Sequence, residues 1–163
     1  LMHAETVAKV TLDLKKEGKI RQLGVSNFTP SQMSLLQQEV KLEWNQLECS
    51  LTQENGLFDG TLDHMKIHGI GSMAWSPLGS YFKENDAKKQ RILKCMTPLC
   101  EKYNCTEDQL LLTWLLYHPS KIYPVIGTTS AKRIELSIAA LDIKLEITDW
   151  FLLLEASMGE PLP

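Results

Sequence analysis

Four times along this chain a short apolar or β-prone run closes on polar or glycine-bearing residues and hands over to a helical pattern: QLGVSNF at 22–28, EWNQLECS at 43–50, SMAWS at 72–76 and IYPVIG at 122–127. Strands spaced by helices cannot pair as tight hairpins. Each return needs a crossover, right-handed as a rule, so the strands lie parallel and the fold class is α/β. In parallel sheets ligands collect at the carboxyl ends of the strands, where loops converge and helix amino termini present free amides. The four polar ends therefore form one group of candidate site residues.

The segments between the strands read as helices from spacing and punctuation. Val7, Val10, Leu12 and Leu14 give the first an apolar side, and KKEG closes it with lysines in the last turn and Gly18 as the stop. Thr29 is placed to cap a second helix, with Pro30 in its first position and Leu35 and Leu36 as the buried face up to about Glu39. A third pattern over 55–69 carries Leu57, Leu62 and Met65 and ends on Gly69; two more follow at 86–102 and 106–118. The latter opens on Thr106, Glu107 and Asp108, where negative charge meets the helix dipole, and has Leu110, Leu111, Trp114 and Leu115 as its core stripe. Ser130 caps the helix after the fourth strand, and a last helix starts at Thr148 with Trp150, Leu153 and Leu154 on its apolar side.

A chain of 163 residues with 44% hydrophobic content is long enough to bury a core, and residues 1–163 read as a single domain. The net charge of −3 and the lack of any long like-charge block argue against a nucleic-acid partner or a polybasic membrane patch, and favour a small molecule. No apolar run approaches the roughly 18 residues of a membrane span, and the amino terminus lacks the order of a signal peptide, so a soluble, cytoplasmic protein is expected. The sequence starts at Leu1 and enters a helix within a few residues, as the continuation of a longer chain would. Cysteines 49, 95, 100 and 105 lack metal or redox spacing and are expected to be reduced structural thiols. His64 and His68 are four apart on one helix, without the glutamate of a zinc-protease motif or a third ligand, and no metal is expected.

Taken singly, the strand ends admit more than one reading. Ser26 and Asn27 serve either to turn the chain or to bind. In GTTSAKR, a glycine and three hydroxyl residues at a helix start, with Arg133 a turn inside, suit a phosphate; an ordinary cap with a solvated arginine suits them as well. Trp75, before SPLG, is placed to stack on a flat ring or to fill the core. The SYFKENDAKK segment at 80–89 reads as a solvated linker rather than a cover over the site. No G-x-S-x-G elbow occurs, and the histidines at 3, 64, 68 and 118 lie away from the strand ends, so no nucleophile is assigned. Because a closed parallel barrel takes about 250 residues, length alone favours an open doubly wound sheet.

LKKEGKIRQLGVSNF, NQLECS, AWSPLG and PVIGTTSAKRIE, in this order and spacing, closely resemble the carboxyl-terminal half of the aldo-keto reductases, particularly a bacterial oxidoreductase branch with AWSPLG and an ending like EASMGEPLP. The resemblance covers essentially the whole chain and implies half of a (β/α)8 TIM barrel, strands five to eight with their helices. It implies NADPH-dependent reduction of aldehydes or ketones, with NADP(H) as cofactor. By position, Ser26, Asn27 and Gln46 match residues that bind the nicotinamide carboxamide, and Trp75 the ring that stacks on nicotinamide. Ser76, Leu78 and Gly79 match the loop along the pyrophosphate; Thr128, Thr129 and Arg133 match the pocket for the adenosine 2′-phosphate. Gly127 stands where many members carry a lysine, which weakens the case for NADP over NAD. The family's aspartate, tyrosine, lysine and histidine lie on the preceding half, and His3 does not match that histidine. No catalytic residue is assigned, and the chain alone is expected to be inactive. A different reading is a non-catalytic half barrel that self-associates through its exposed strand edges as a binding or structural subunit.

Overall fold

The computed structural model describes residues 3–162, in which four strands alternate with helices. The order is α1 (Ala4–Lys16), β1 (Gly24–Ser26), α2 (Pro30–Gln37), β2 (Trp44–Glu48), α3 (Thr61–Ile67), β3 (Gly71–Trp75), α4 (Ala87–Tyr103), α5 (Glu107–Leu116), β4 (Ile122–Pro124), α6 (Ala131–Ala139) and α7 (Ile147–Met158). All three strand pairings are parallel, and the strands lie in the sheet in sequence order, β1-β2-β3-β4. A doubly wound sheet must reverse its strand order at a switch point. This one never does, so the open sheet favoured by length is overturned and the winding is that of a barrel. Crossovers of one hand in one direction put the helices on one face; the other face is open.

Period-two alternation assigns the strand residues to the two faces. On the helix side Asn45, Leu47, Ser72, Ala74 and Ile122 are buried, while Ser26, Glu48 and Tyr123 of the open side are exposed and Trp44, Gln46 and Trp75 half-buried. Register pairs Gln46 with Ser26 and Met73, and Glu48 with Trp75. At the amino end of the open face the Trp44 ring lies across Gly71, where a Cβ would overlap it, and meets Tyr123 edge to face at 5.8 Å. Its indole N–H donates to Gln22 Oε1 at 2.8 Å.

Local chemistry accounts for most helix ends. Thr29 and Gln32 form a reciprocal capping box: Gln32 N–H donates to Thr29 Oγ1 at 3.4 Å and Thr29 N–H to Gln32 Oε1 at 2.9 Å. Asp86 Oδ1 accepts from Lys89 N–H at 2.8 Å to start α4, one residue later than its spacing predicts. The predicted 55–69 helix divides, because Asp59 and the left-handed Gly60 end a 3₁₀ turn at Asn55–Leu57 and restart the chain as α3. The Ser130 side chain makes no capping bond; Thr128 Oγ1 accepts the Ser130 amide at 3.2 Å instead.

The core lies between the sheet and the helices and runs on between α4, α5 and α7. At its far end Trp114 of α5 and Trp150 of α7 stack, ring centroids 5.1 Å apart and 5° from parallel. Each indole N–H donates to the other residue's carbonyl, at 3.2 and 2.8 Å. Beyond them Asp149 accepts from Lys102 Nζ at 2.8 Å and from the Tyr103 hydroxyl. Burial raises the Asp149 carboxyl, but these two donors and the ammonium charge lower it further, leaving it below the ordinary aspartate range. A depressed carboxyl stabilises the fold above its unfolded pKa, about 3.9, and the contribution is lost as pH falls through the lower folded value. The stability gap between the wild type and Asp149→Asn is therefore expected to be constant above about pH 5 and to close in stronger acid, read from urea midpoints across pH; a gap that does not change with pH would show the carboxylate charge to be irrelevant.

Candidate functional site

The end of β1 shows why the apolar run stops on two small polar residues. Asn27 adopts φ 55°, a left-handed conformation that asparagine tolerates better than most residues, and the chain turns there. Its N–H donates to Gln46 O at 2.9 Å and the Ser26 hydroxyl donates to the same carbonyl at 3.1 Å. The Asn27 Oδ1 accepts from the Trp75 indole N–H at 2.9 Å, linking the ends of β1 and β3 across β2. Ser26, Asn27, Gln46 and Trp75 thus form one cluster at the carboxyl edge of the open face. Trp75 is not in the core: it is half-buried on that face.

Beneath this cluster sits Asn45, a residue the sequence reading missed although alternation from Gln46 puts it on the helix side. It is fully buried, accepts from Phe28 N–H at 3.3 Å and donates to Phe28 O at 3.0 Å. Both backbone groups of the residue after Asn27 are satisfied by one amide, which fixes where the β1 loop leaves the sheet.

The β3 loop is held in a comparable way. Ser76 has φ 49°, and Gly79 N–H donates to its carbonyl at 2.7 Å. Gly79 has φ 55°, and a Cβ there would overlap the hydroxyls of Thr52 and Ser50. Thr52 Oγ1 contacts Ser50 Oγ at 3.2 Å and accepts Ser80 N–H at 3.0 Å, so the loop after β2 carries the loop after β3. Lys88 ties the start of α4 to the same segment through Glu54 at 2.9 Å.

Between the carboxyl ends of β3 and β4 lies a cavity of about 680 Å³. Ser76, Leu78 and Gly79 line one side; Thr128 and Arg133 line another. Thr129 does not line it and is exposed beside it, with Arg133 rising from the first turn of α6. Two further residues, Phe82 and Lys83, reach it from the segment read as a linker. That reading is corrected: Tyr81 is fully buried, and its neighbours wall the cavity. The signal was the aromatic pair Tyr81 and Phe82, more apolar surface than a solvated linker carries. Asp108 of α5 is the acidic group among the lining residues. The polar cluster at Asn27 and Trp75 and this cavity are contiguous through Trp75 and Ser76, successive residues of the chain.

The His64 and His68 rings lie 4.3 Å apart, tilted by 39°, and burial together with the His68 charge lowers the His64 pKa. No group of three or more metal-ligating residues occurs among the described residues, and none of the described helices is long and apolar enough to cross a membrane.

Comparison with known proteins places the chain. The model of the aldo/keto reductase family matches residues 2–156. The chain is 36% identical over 168 residues to the uncharacterized oxidoreductase YcsN of Bacillus subtilis, covering 100% of this chain and 56% of that protein. It is 34% identical over 167 residues to a 6-dehydroglucose reductase of Novosphingobium aromaticivorans, covering 100% and 55%. Among solved structures, the thermostable aldo-keto reductase Tm1743 in complex with the inhibitor epalrestat superposes with a TM-score of 0.83 at 20% identity, over 95% of this chain and 55% of that one. The chain spans about half the length of the relatives it matches, and its four sequential βα units are half of a (β/α)8 barrel. By the family model, the motifs and the winding together, the chain belongs to the aldo/keto reductase family.

Proposed function

We propose that this chain is the cofactor-binding half of an NADPH-dependent reductase of aldehydes or ketones. The observation that carries this reading is the continuity of the polar cluster at Asn27 and Trp75 with a cavity containing Arg133. A dinucleotide needs an amide-binding end, a platform for a flat ring, a loop without side-chain bulk and a cation, and the four occur here in that order. Ser26, Asn27 and Gln46 would hold the carboxamide, Trp75 the nicotinamide ring, and Ser76, Leu78 and Gly79 the pyrophosphate. Thr128, Thr129 and Arg133 would hold the 2′-phosphate, with Lys83 supplying a second cation where Gly127 supplies none.

When bound, the cofactor supplies a hydride. This chain's residues bind and orient: Asn27, fixed by its own left-handed turn and by the Trp75 indole, sets how the ring lies on the open face. Protonation of the developing alkoxide is assigned to the other half of the barrel, a contribution typically worth about a hundredfold to ten-thousandfold. The isolated chain is accordingly expected to bind NADPH without turning over a generic aldehyde.

Arg133→Ala tests the assignment. Charge-assisted bonds to phosphate are worth about 1.5–3 kcal/mol, so the variant is expected to bind NADPH roughly ten- to a hundredfold more weakly, with NADH binding unchanged, both measured by calorimetric titration. Equal losses for the two nucleotides, or none, would remove Arg133 from the 2′-phosphate site.

A further inference from the structure

The sequence reading treats all four cysteines as inert thiols, but the structure sets two apart. Helix α4 ends with Asn104 in a left-handed conformation, φ 48° and ψ 50°. Asn104 N–H donates to Glu101 O at 3.2 Å and Cys105 N–H to Cys100 O at 3.0 Å. In this type of helix ending the residue one turn inside and the second residue outside meet side chain to side chain, usually as an apolar pair. Here both are cysteines, brought to the same helix end by the bond from the Cys105 N–H to the Cys100 carbonyl. Both are half-buried, and both line a surface cavity of about 330 Å³ between the end of α4 and the start of α5. Cys49, by contrast, is fully buried.

We propose that Cys100 and Cys105 form a two-electron redox site that closes to an intrachain disulfide on reaction with hydrogen peroxide. Burial raises both thiols; contact with Cys105 and the carboxylates of Glu107 and Asp108 take Cys100 up to about 12, whereas contact with Cys100 pulls Cys105 back. Either thiol can attack first, because both line the cavity and both orders give the same bond. In one order the Cys105 thiolate attacks one peroxide oxygen, the O–O bond breaks, the leaving hydroxide takes up the proton the thiol had lost and departs as water, and a sulfenic acid remains. Cys100 sulfur attacks the oxidised sulfur, the sulfur–sulfur bond forms, and a second water leaves with the Cys100 proton. Two thiols lose two electrons, and one peroxide becomes two waters. The raised thiols make the step slow at neutral pH. The bond ties the last turn of α4 to the connection that leads into α5, whose Asp108 and Leu112 line the larger cavity.

Trypsin cuts after Lys102, between the two cysteines. The Cys95→Ser chain is treated with hydrogen peroxide, alkylated, digested without reduction and weighed by mass spectrometry. Peptides 95–102 and 103–121 are expected to be joined and lighter by two hydrogens, in a protein that stays monomeric on a non-reducing gel, and dithiothreitol is expected to separate them. If that variant misfolds, the wild-type chain is treated the same way and also cut with cyanogen bromide after Met96, which parts Cys95 from Cys100. Alkylation of both cysteines after peroxide treatment, oxygen adducts on separate peptides, or a link found only between chains would overturn the proposal.

Discussion

Replacing Trp114 with alanine is expected to cost about 3–5 kcal/mol, the largest single-residue effect in the chain. Against a total stability on the order of 5–15 kcal/mol, that is roughly a fifth of it or more, and the urea midpoint falls in proportion. The Trp114 side chain is buried and stacked on Trp150, and each indole satisfies the other's backbone carbonyl. Alanine leaves a cavity the size of an indole and removes the donor to the Trp150 carbonyl. It also leaves the Trp150 ring without its stacking partner. Trp150→Phe separates the contributions: it keeps most of the packing and leaves only the Trp114 carbonyl unpaired, a loss of roughly 1–3 kcal/mol. Urea titrations followed by far-ultraviolet circular dichroism distinguish these cases. A loss for Trp114→Ala no larger than that for Trp150→Phe would mean that the stack adds nothing beyond its hydrogen bonds.

Gly79→Ala is expected to come next, and to act on the site as well as on stability. A left-handed conformation costs an ordinary residue about 1–2 kcal/mol, and forcing a methyl into filled space adds roughly 1–3 kcal/mol. The space is filled by Thr52 and Ser50 hydroxyls, and Thr52 is held in turn by the Ser80 amide, so it cannot simply swing away. The loop must move, taking Ser76 and Leu78 with it and opening the cavity on that side. Combining Gly79→Ala with Thr52→Ala removes the tighter of the two overlaps but leaves the Ser50 hydroxyl and the backbone strain. The double variant is expected to recover part of the steric loss. Additive effects would locate the whole cost in the backbone and leave the hydroxyl contact without a role.

Much of the fold was legible because strands and caps are local. The four strand runs, the Thr29 cap and the left-handed ending at Gly69 depend on residues within a few positions of each other, and the sheet follows from them. Strand order was not legible from composition or length: a barrel and a doubly wound sheet bury the same kinds of strand, and only the absence of a reversal distinguishes them. Helix faces were misread where apolar residues are not buried. On α1 the inward stripe is Ala4, Ala8 and Thr11, while Val10 and Leu12 are 53% exposed. On α2 Met33 and Leu36 are buried and Leu35 is not. Small residues allow α1 to pack closely, and a count of large apolar side chains cannot see that. Polarity marked the strand ends as a group, Ser26 and Asn27 first, while Gln46 and Leu78 entered only through the family resemblance. Asn45 and Thr52, which hold the loops in place, were missed because their partners are backbone groups 17 and 28 residues away in sequence.

Sequential strand order also bears on how the chain is made. A strand emerging from the ribosome finds its only earlier partner already synthesised, so no strand waits for a later one, and sheet assembly can follow translation. Helix α7 is the exception. Arg91 of α4 donates to the Ala156 and Ser157 carbonyls at its end, and the Ser157 hydroxyl donates to Leu51 O across 106 residues of chain. The last of the described elements to be translated is therefore the clasp that fastens α4 and the loop after β2 together, and until it arrives the Trp114 ring lacks its stacking partner.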